Sequence, residues 1–283
     1  AGEIVALGED VGRYRVGDRV TVAHHVPCNT CHYCLTGRHT VCDTLRSTNV
    51  DPGGFAEYIR LSSILVDRGV FPLSEEVSSE EATFTEPLAC VLRGQRLAGV
   101  GPGKSVLIIG SGMAGLLHVQ LARALGAGWV VATDIVDFRL EAALRFGAEA
   151  AIHAEEAVPE RLRQLFGGWL PDIAIVCAGA TGAIEQGLCS VERGGTVLLF
   201  APGAPRATVP LPVNDVWFNG TNIVTTYAGS PADYAAALEL IRARRVLVKE
   251  MVTHRLGLAE TGRGFQLVAG AQDSIKVIIE PQR

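Results

Sequence analysis

The sequence predicts an α/β protein in which a doubly wound parallel sheet is inserted into a mainly-β region. Three observations lead there. From residue 105 onward, short apolar runs alternate with helical stretches, the pattern of parallel strands covered by helices on both faces. Residues 1–70 are turn-rich with β-branched runs, such as Val16-Gly17-Asp18-Arg19-Val20-Thr21-Val22. The tail from about 246 to 283 is too short to fold alone and is expected to pack back onto the first part. The length of 283 residues suits two domains, here expected at 1–86 with 228–283, and at 87–227.

Element by element, 53–59 (Gly-Gly-Phe-Ala-Glu-Tyr-Ile) reads as a turn and strand. Residues 74–99 are helical in pattern, with Ser78-Ser79-Glu80-Glu81 offering an N-cap and an acidic first turn. A buried strand at 106–109 leads through Gly110-Ser111-Gly112 into a helix reaching about Leu125. A strand at 129–133 is followed by a helix at 138–146, stopped by Gly147. Further strands are expected at 151–153, 173–176, 197–200, 223–226 and 274–280.

Composition narrows the function. With 48% apolar and 19% charged residues the chain is globular. A net charge of −5 argues against nucleic acid or an anionic membrane as partner, and no apolar run approaches the roughly 18 residues of a membrane span. The opening residues Ala1-Gly2-Glu3-Ile4-Val5-Ala6-Leu7 include no initiating Met and no basic leader. Glu3, Val5 and Leu7 alternate with their neighbours as if a strand were under way, so an N-terminal segment is expected to be missing.

Four of the seven cysteines, Cys28, Cys31, Cys34 and Cys42, fall in the spacing C-x2-C-x2-C-x7-C. Four thiolates close a tetrahedral zinc sphere and leave no open position, so the site is read as structural zinc in a reducing compartment. An iron–sulfur cluster is the rival, but ferredoxin spacing uses x3 and then Pro at the fourth cysteine, where this chain has x7 and Asp43. His24, His25, His32 and His39 lie nearby and are not needed as ligands. Cys90, Cys177 and Cys189 read as small buried hydrophobes.

Gly110-Ser111-Gly112-Met113-Ala114-Gly115 is a G-x-G-x-x-G that follows an apolar strand and opens a helix, with Asp134 ending the next strand 19 residues after Gly115. The first glycine permits the tight turn. The second lets backbone approach a pyrophosphate, and the third lets helix and strand pack closely. Asp134 is expected to accept hydrogen bonds from the adenosine ribose and to repel a 2′-phosphate, which favours NAD over NADP. Arg139 can approach the same ribose.

The cysteine lobe, the segment Gly53-Gly54-Phe55-Ala56-Glu57-Tyr58 and the dinucleotide turn occur in this order. Together they resemble the zinc-dependent medium-chain alcohol dehydrogenase family, over essentially the whole chain. Glu86-Pro87-Leu88, 24 residues before Gly110, resembles its sorbitol- and polyol-dehydrogenase-like branch rather than the classical members, which place a cysteine near this point. The resemblance implies a Rossmann domain inserted in a GroES-like catalytic domain, N-terminally incomplete. It also implies a cytoplasmic homo-oligomer, dimer or tetramer, that moves hydride between NAD and a secondary alcohol, polyol or sugar alcohol.

By resemblance Glu86 is catalytic and coordinates a catalytic zinc, directly or through water. Lys276 matches a position where a basic side chain approaches the cofactor pyrophosphate. Cys177-Ala178-Gly179 and Phe200-Ala201-Pro202-Gly203 follow strand ends where the second half of the cofactor lies, and Tyr227 is near the nicotinamide. The family's early catalytic cysteine and Gly-His-Glu motif would precede Ala1, so two zinc ligands are expected to be absent. The alternative is an N-terminally truncated, catalytically inactive, zinc-stabilised NAD-binding protein. A zinc-independent quinone-reductase-like relative is disfavoured by the four cysteines and Glu86.

Overall fold

Strands β1 (Gly2–Glu3) and β2 (Arg19–Val22) begin an antiparallel sheet in a computed structural model that describes residues 1–283. The pairing expected to run on to Leu7 stops after Glu3. In this register Val5 faces Gly17, and Gly17 and Asp18 form the turn whose backbone bonds Ile4 instead. Short helices α1 (His32–Leu35), α2 (Asp43–Ser47) and α3 (Ser63–Arg68) follow, and β3 (Val70–Pro72) completes the sheet beside β2. Tyr14, Val20 and Val70 form its small core. The strand expected at 53–59 does not form. Only the flanking residues Asp51 and Arg60 pair, in an isolated bridge, and the run between them makes no ladder.

The helical stretch at 74–99 becomes two helices, α4 (Ser79–Ala82) and α5 (Thr85–Ala98). Ser78 caps α4. Its Oγ accepts the Glu81 N–H at 3.3 Å, and the Glu81 carboxylate accepts the Ser78 N–H at 3.0 Å.

The alternating middle of the chain runs through β4 (Ser105–Ile109), α6 (Met113–Ala124), β5 (Trp129–Asp134), α7 (Asp137–Arg145), β6 (Ala150–His153) and α8 (Val158–Leu165). It continues through β7 (Ile173–Val176), α9 (Thr181–Cys189), β8 (Thr196–Leu199), α10 (Val213–Asn219) and β9 (Asn222–Thr225). All six strands are parallel, in the order β6-β5-β4-β7-β8-β9. The near-continuous Val, Ile, Leu and Ala content of the central strands β4, β5, β7 and β8 is explained by burial on both faces. Leu107, Ile109, Val131, Ala174, Val176 and Val197 from four strands pack with Ile152, Val158 and Leu162 in one core. Because β4 is central and the order reverses between β4 and β7, a crevice opens outside their carboxyl ends.

The tail supplies α11 (Pro231–Arg242), β10 (Val252–Gly257), α12 (Thr261–Gly270) and β11 (Lys276–Glu280), with β10 and β11 paired in parallel. It returns to the first part of the chain. Tyr234 on α11 stacks on Phe71 of β3, ring centroids 5.6 Å apart, and Arg255 on β10 pairs with Glu80. The chain accordingly falls into two compact units, 1–90 with 228–283, and 91–227, and α5 runs through the division. No helix is long and apolar enough to cross a membrane.

One buried polar pair is built into the second unit. His118 on α6 is fully buried, its Nδ1 lies 3.1 Å from Gln95 Nε2, and its ring meets Phe200 edge-on. Burial pushes the imidazole down to about 3, so the fold requires the neutral ring. The folded value lies below the unfolded one of roughly 6.5, so this stabilisation is present above pH 6.5 and is lost as pH falls toward 3. Between pH 6.5 and 5 the loss is expected to be about 2 kcal/mol. Chemical denaturation at the two pH values checks it. The His118→Leu variant should lose less than the parent over that interval, and an equal loss would contradict this account.

Candidate metal and cofactor sites

The four cysteines come together in the first unit. Cys31 precedes α1 and Cys34 lies within it, Cys42 precedes α2, and Cys28 lies in the loop after β2. All four Sγ atoms lie within 4.8 Å of one another, and none is in a disulfide. The Sγ separations are 3.9 Å for Cys28–Cys34, and 3.6 Å for both Cys31–Cys34 and Cys28–Cys42. A tetrahedral ion with metal–sulfur bonds of about 2.3 Å requires sulfurs ~3.8 Å apart. The residues therefore fit zinc.

Backbone N–H groups of Thr30 and Cys31 point at Cys28 Sγ, and they hold its thiol down at about 5. Burial pushes Cys34 up to about 12. Four crowded thiols cannot all ionise alone, and a dication must displace the remaining protons. Two residues that sequence reasoning missed anchor this lobe. Arg68 Nη1 donates to the carbonyls of Pro27 and Cys28, and Thr48 Oγ1 accepts the Val26 N–H at 3.0 Å. No local pattern marks them, since each acts across 20 residues or more.

Glu86 stands in the first turn of α5, where its Oε1 accepts from Cys90 Sγ one turn later at 3.2 Å. The buried Tyr234 hydroxyl has no partner, and burial, Glu86 and Cys90 all push it up. Lys276 Nζ lies 5.1 Å from the Phe84 ring centroid. Burial lowers its ammonium against the opposing charge of Glu86. A catalytic zinc needs three protein ligands. Glu86 and Cys90 are two ligand-type groups, and the four-cysteine lobe is the only larger set gathered within residues 1–283. These residues do not assemble a catalytic zinc centre by themselves.

The glycine turn lies in the second unit, at the reversal of strand order. Gly110 leaves β4 at φ +93°, a left-handed conformation that favours glycine, and its N–H donates to Thr133 O at 2.9 Å. A Cβ at Gly115 would sit 1.9 Å from Gly110 O, so α6 could not start here with a side chain at that position. At Gly112, before Met113 and Ala114 open α6, a Cβ would meet only the Arg139 guanidinium, at 3.9 Å. That open backbone at a helix N-terminus suits a phosphate.

The loops after β7 and β8 arrive at the same end of the sheet. The Cys177 N–H donates to Ile109 O at 2.8 Å, and the Ala201 N–H to Val176 O at 3.0 Å. A Cβ at Gly179 would lie 2.5 Å from Pro202 O. Gly110, Gly112, Gly115, Cys177 and Ala201 are thus gathered at the same end of the sheet. Lys276 belongs to the other unit.

Asp134 ends β5 and is 6% exposed. Its Oδ2 accepts the Ser111 N–H at 2.7 Å, and its Oδ1 accepts the N–H groups of Ile135 and Val136 at 2.8 and 3.0 Å. The bond to Ser111, unforeseen from sequence, ties the acidic residue to the turn itself.

Comparison with known proteins agrees with this architecture. The model of the alcohol dehydrogenase GroES-like domain matches residues 1–68, and that of the zinc-binding dehydrogenases matches 114–243. A sorbitol dehydrogenase of Bacillus subtilis (strain 168) is 31% identical over 290 residues, covering 100% of this chain and 80% of its own length. The chain belongs to the zinc-binding, GroES-like medium-chain dehydrogenase/reductase family. Another member, a sorbitol dehydrogenase of Gallus gallus, is 28% identical over 99% of this chain and 78% of its own.

Among solved members of the family, the alcohol dehydrogenase of Thermus sp. ATN1 superposes with a TM-score of 0.86. It is 27% identical, over 99% of this chain and 82% of that one. A proposed zinc-binding dehydrogenase from Sinorhizobium meliloti 1021, bound to NADP, gives 0.88 at 26% identity, over 99% and 81%. Membership supports a general oxidoreductase role on alcohols or polyols.

The metal reading has a direct check. Cobalt should bind at one ion per chain with the intense thiolate-to-cobalt absorption of a four-sulfur site, and zinc should displace it. Cys34→Ser should abolish that band and lower the Tm. A band unchanged in the variant would contradict the assignment.

Proposed function

We propose that the protein is an NAD-linked oxidoreductase acting on a secondary alcohol of the polyol or sugar-alcohol class, with a structural zinc in the cysteine lobe. The observation that carries it is the open backbone at Gly112, at the N-terminus of α6 and at the reversal of strand order. Two curated relatives of this chain are sorbitol dehydrogenases, and Glu86-Pro87-Leu88 supports the same branch.

The reaction moves a hydride from the carbinol carbon to the nicotinamide and releases the hydroxyl proton, leaving a ketone. The residues of the second unit bind and orient the dinucleotide. Gly110, Gly112 and Gly115 admit the pyrophosphate to the helix N-terminus, with Met113 and Ala114 supplying its first N–H groups. Asp134 and Arg139 take the adenosine side, while Cys177 and Ala201 line the nicotinamide half. In the first unit, read as the GroES-like catalytic domain, Glu86 is the carboxylate of the reacting centre and Lys276 the cation for the cofactor. The structural zinc, once bound, pins a lobe that buries little apolar surface of its own. The thiols gathered in the lobe fit a cytoplasmic setting.

A homo-oligomer, dimer or tetramer, is part of the same reading. The outer strand β9 is open on one edge, and Trp217 and Phe218 beside it are 73% and 72% exposed. Side chains of that size are usually buried against a partner.

The second reading, a zinc-stabilised dinucleotide-binding protein without turnover, is favoured for residues 1–283 by the missing three-ligand set around Glu86. One experiment separates the two. The purified protein is tested for NADH binding by fluorescence, for NADH production from NAD with a panel of polyols, and for mass by light scattering. Binding with turnover supports the enzyme, and binding without turnover supports the second reading. Absence of NADH binding contradicts both, and a monomer contradicts the assembly.

A further inference from the structure

A cleft in the first unit has no part in the dinucleotide reading. It lies between β3 and α11 and has a volume of about 320 Å³, within the roughly 300–1,000 Å³ of small-molecule sites. Its apolar walls are Val70, Phe71 and Pro72 of β3, Val77 before α4, and Ala235 and Leu238 of α11. Each wall is fixed from behind. β3 is paired with β2, the Phe71 ring stacks on Tyr234 of α11, and Arg19 donates to the Val77 carbonyl. The cleft is therefore formed before any ligand enters it.

The charges around this cleft do not cancel. Three arginines and two carboxylates line it. Asp67 accepts from Arg68 at 3.0 Å, and Glu239 accepts twice from Arg242, at 2.8 and 2.6 Å. Arg242 also donates to Glu76, and Arg68 to the carbonyls of Pro27 and Cys28. Arg13 is the third, and it forms no ion pair. Its guanidinium lies 5.6 Å from the ring centroid of Tyr14, a buried side chain whose hydroxyl donates to the Val70 carbonyl at 3.2 Å. An unpaired guanidinium beside apolar walls matches a ligand with an apolar body and one carboxylate.

We infer that this cleft binds an amphipathic monocarboxylate, its aliphatic chain against β3 and α11 and its carboxylate on Arg13. The inference goes beyond the oxidoreductase reading. It concerns binding alone, by residues that take no part in holding the dinucleotide. An aliphatic alcohol of the same length shares the apolar contacts but lacks the charge, whereas acetate carries the charge with little apolar surface. The two contributions can therefore be separated.

Methyl NMR of the intact protein, labelled at alanine, valine and leucine, follows titration with octanoate, 1-octanol and acetate. Octanoate should give saturable shifts at Val70, Val77, Ala235 and Leu238, and acetate should give none. Across butanoate, hexanoate and octanoate the affinity should rise about two- to fourfold per methylene, as burial of each CH2 requires. Arg13→Gln should weaken octanoate by about fivefold or more and octanol by less than about twofold. Arg13→Lys should restore part of that loss, since a point charge keeps the attraction without the fork. Ala235→Phe, placed on an exposed position of α11 that lines the cleft, should block octanoate. Octanol binding as tightly as octanoate overturns the proposal, as does octanoate binding unchanged in Arg13→Gln. So does octanoate that shifts none of the cleft methyls, or shifts the exposed Leu35 as much as them.

Discussion

A single close approach governs the second unit. The carbonyl oxygen of Gly110 lies 1.9 Å from where a Cβ at residue 115 would be. No side chain fits in that gap, so glycine at 115 lets the backbones approach and α6 begin directly over the end of β4. The open amide face at Gly112, the aim of the helix N-terminus and the bond from Ser111 to Asp134 all follow from it. A parallel sheet whose central strands are buried makes the platform rigid enough to hold this geometry. A side chain at 115 would push the helix away from the sheet and separate the turn from its acidic partner.

The first unit depends on a different kind of constraint. Its lobe of short helices α1 and α2 buries little beyond Cys34, Cys42 and Leu45, too few apolar groups to order a loop of that length. Bonds from the four thiolates to a metal that they fit would supply what a core would otherwise supply. Arg68 and Thr48 then fix the ordered lobe to the rest of the unit through backbone carbonyls and amides. The tail closes the unit by stacking Tyr234 on Phe71 and by pairing Arg255 with Glu80.

Most of this was legible in the sequence wherever local chemistry is decisive. The central parallel strands announce themselves as apolar runs because both faces are buried, and the cysteine spacing announces a cluster of four thiols that the fold brings within 4.8 Å of one another. Gly110 and Gly115 are readable because only glycine meets their backbone geometry, and Gly112 because a residue without a side chain leaves the amide face open. What failed was pairing. The alternation at 3–7 and at 53–59 carries strand propensity, but a strand needs a neighbouring edge, and the Gly17-Asp18 turn removes the edge that residues 5–7 would use. The anchors Arg68, Thr48 and Tyr234 were invisible because their partners lie far away in sequence. The inward turn of Asp134 is invisible for a related reason, since its three donors are peptide N–H groups whose direction depends on the fold.

The central claim is that the turn from Gly110 to Gly115 is a pyrophosphate cradle. Amide NMR of isotope-labelled protein during titration with ADP-ribose reads that turn residue by residue. The account predicts large, saturable shifts at Gly112, Met113 and Ala114, with smaller ones at Ser111 and Ile135 through the Asp134 carboxylate. Saturable binding that leaves Gly112 to Ala114 unmoved while other parts of the chain shift would contradict it.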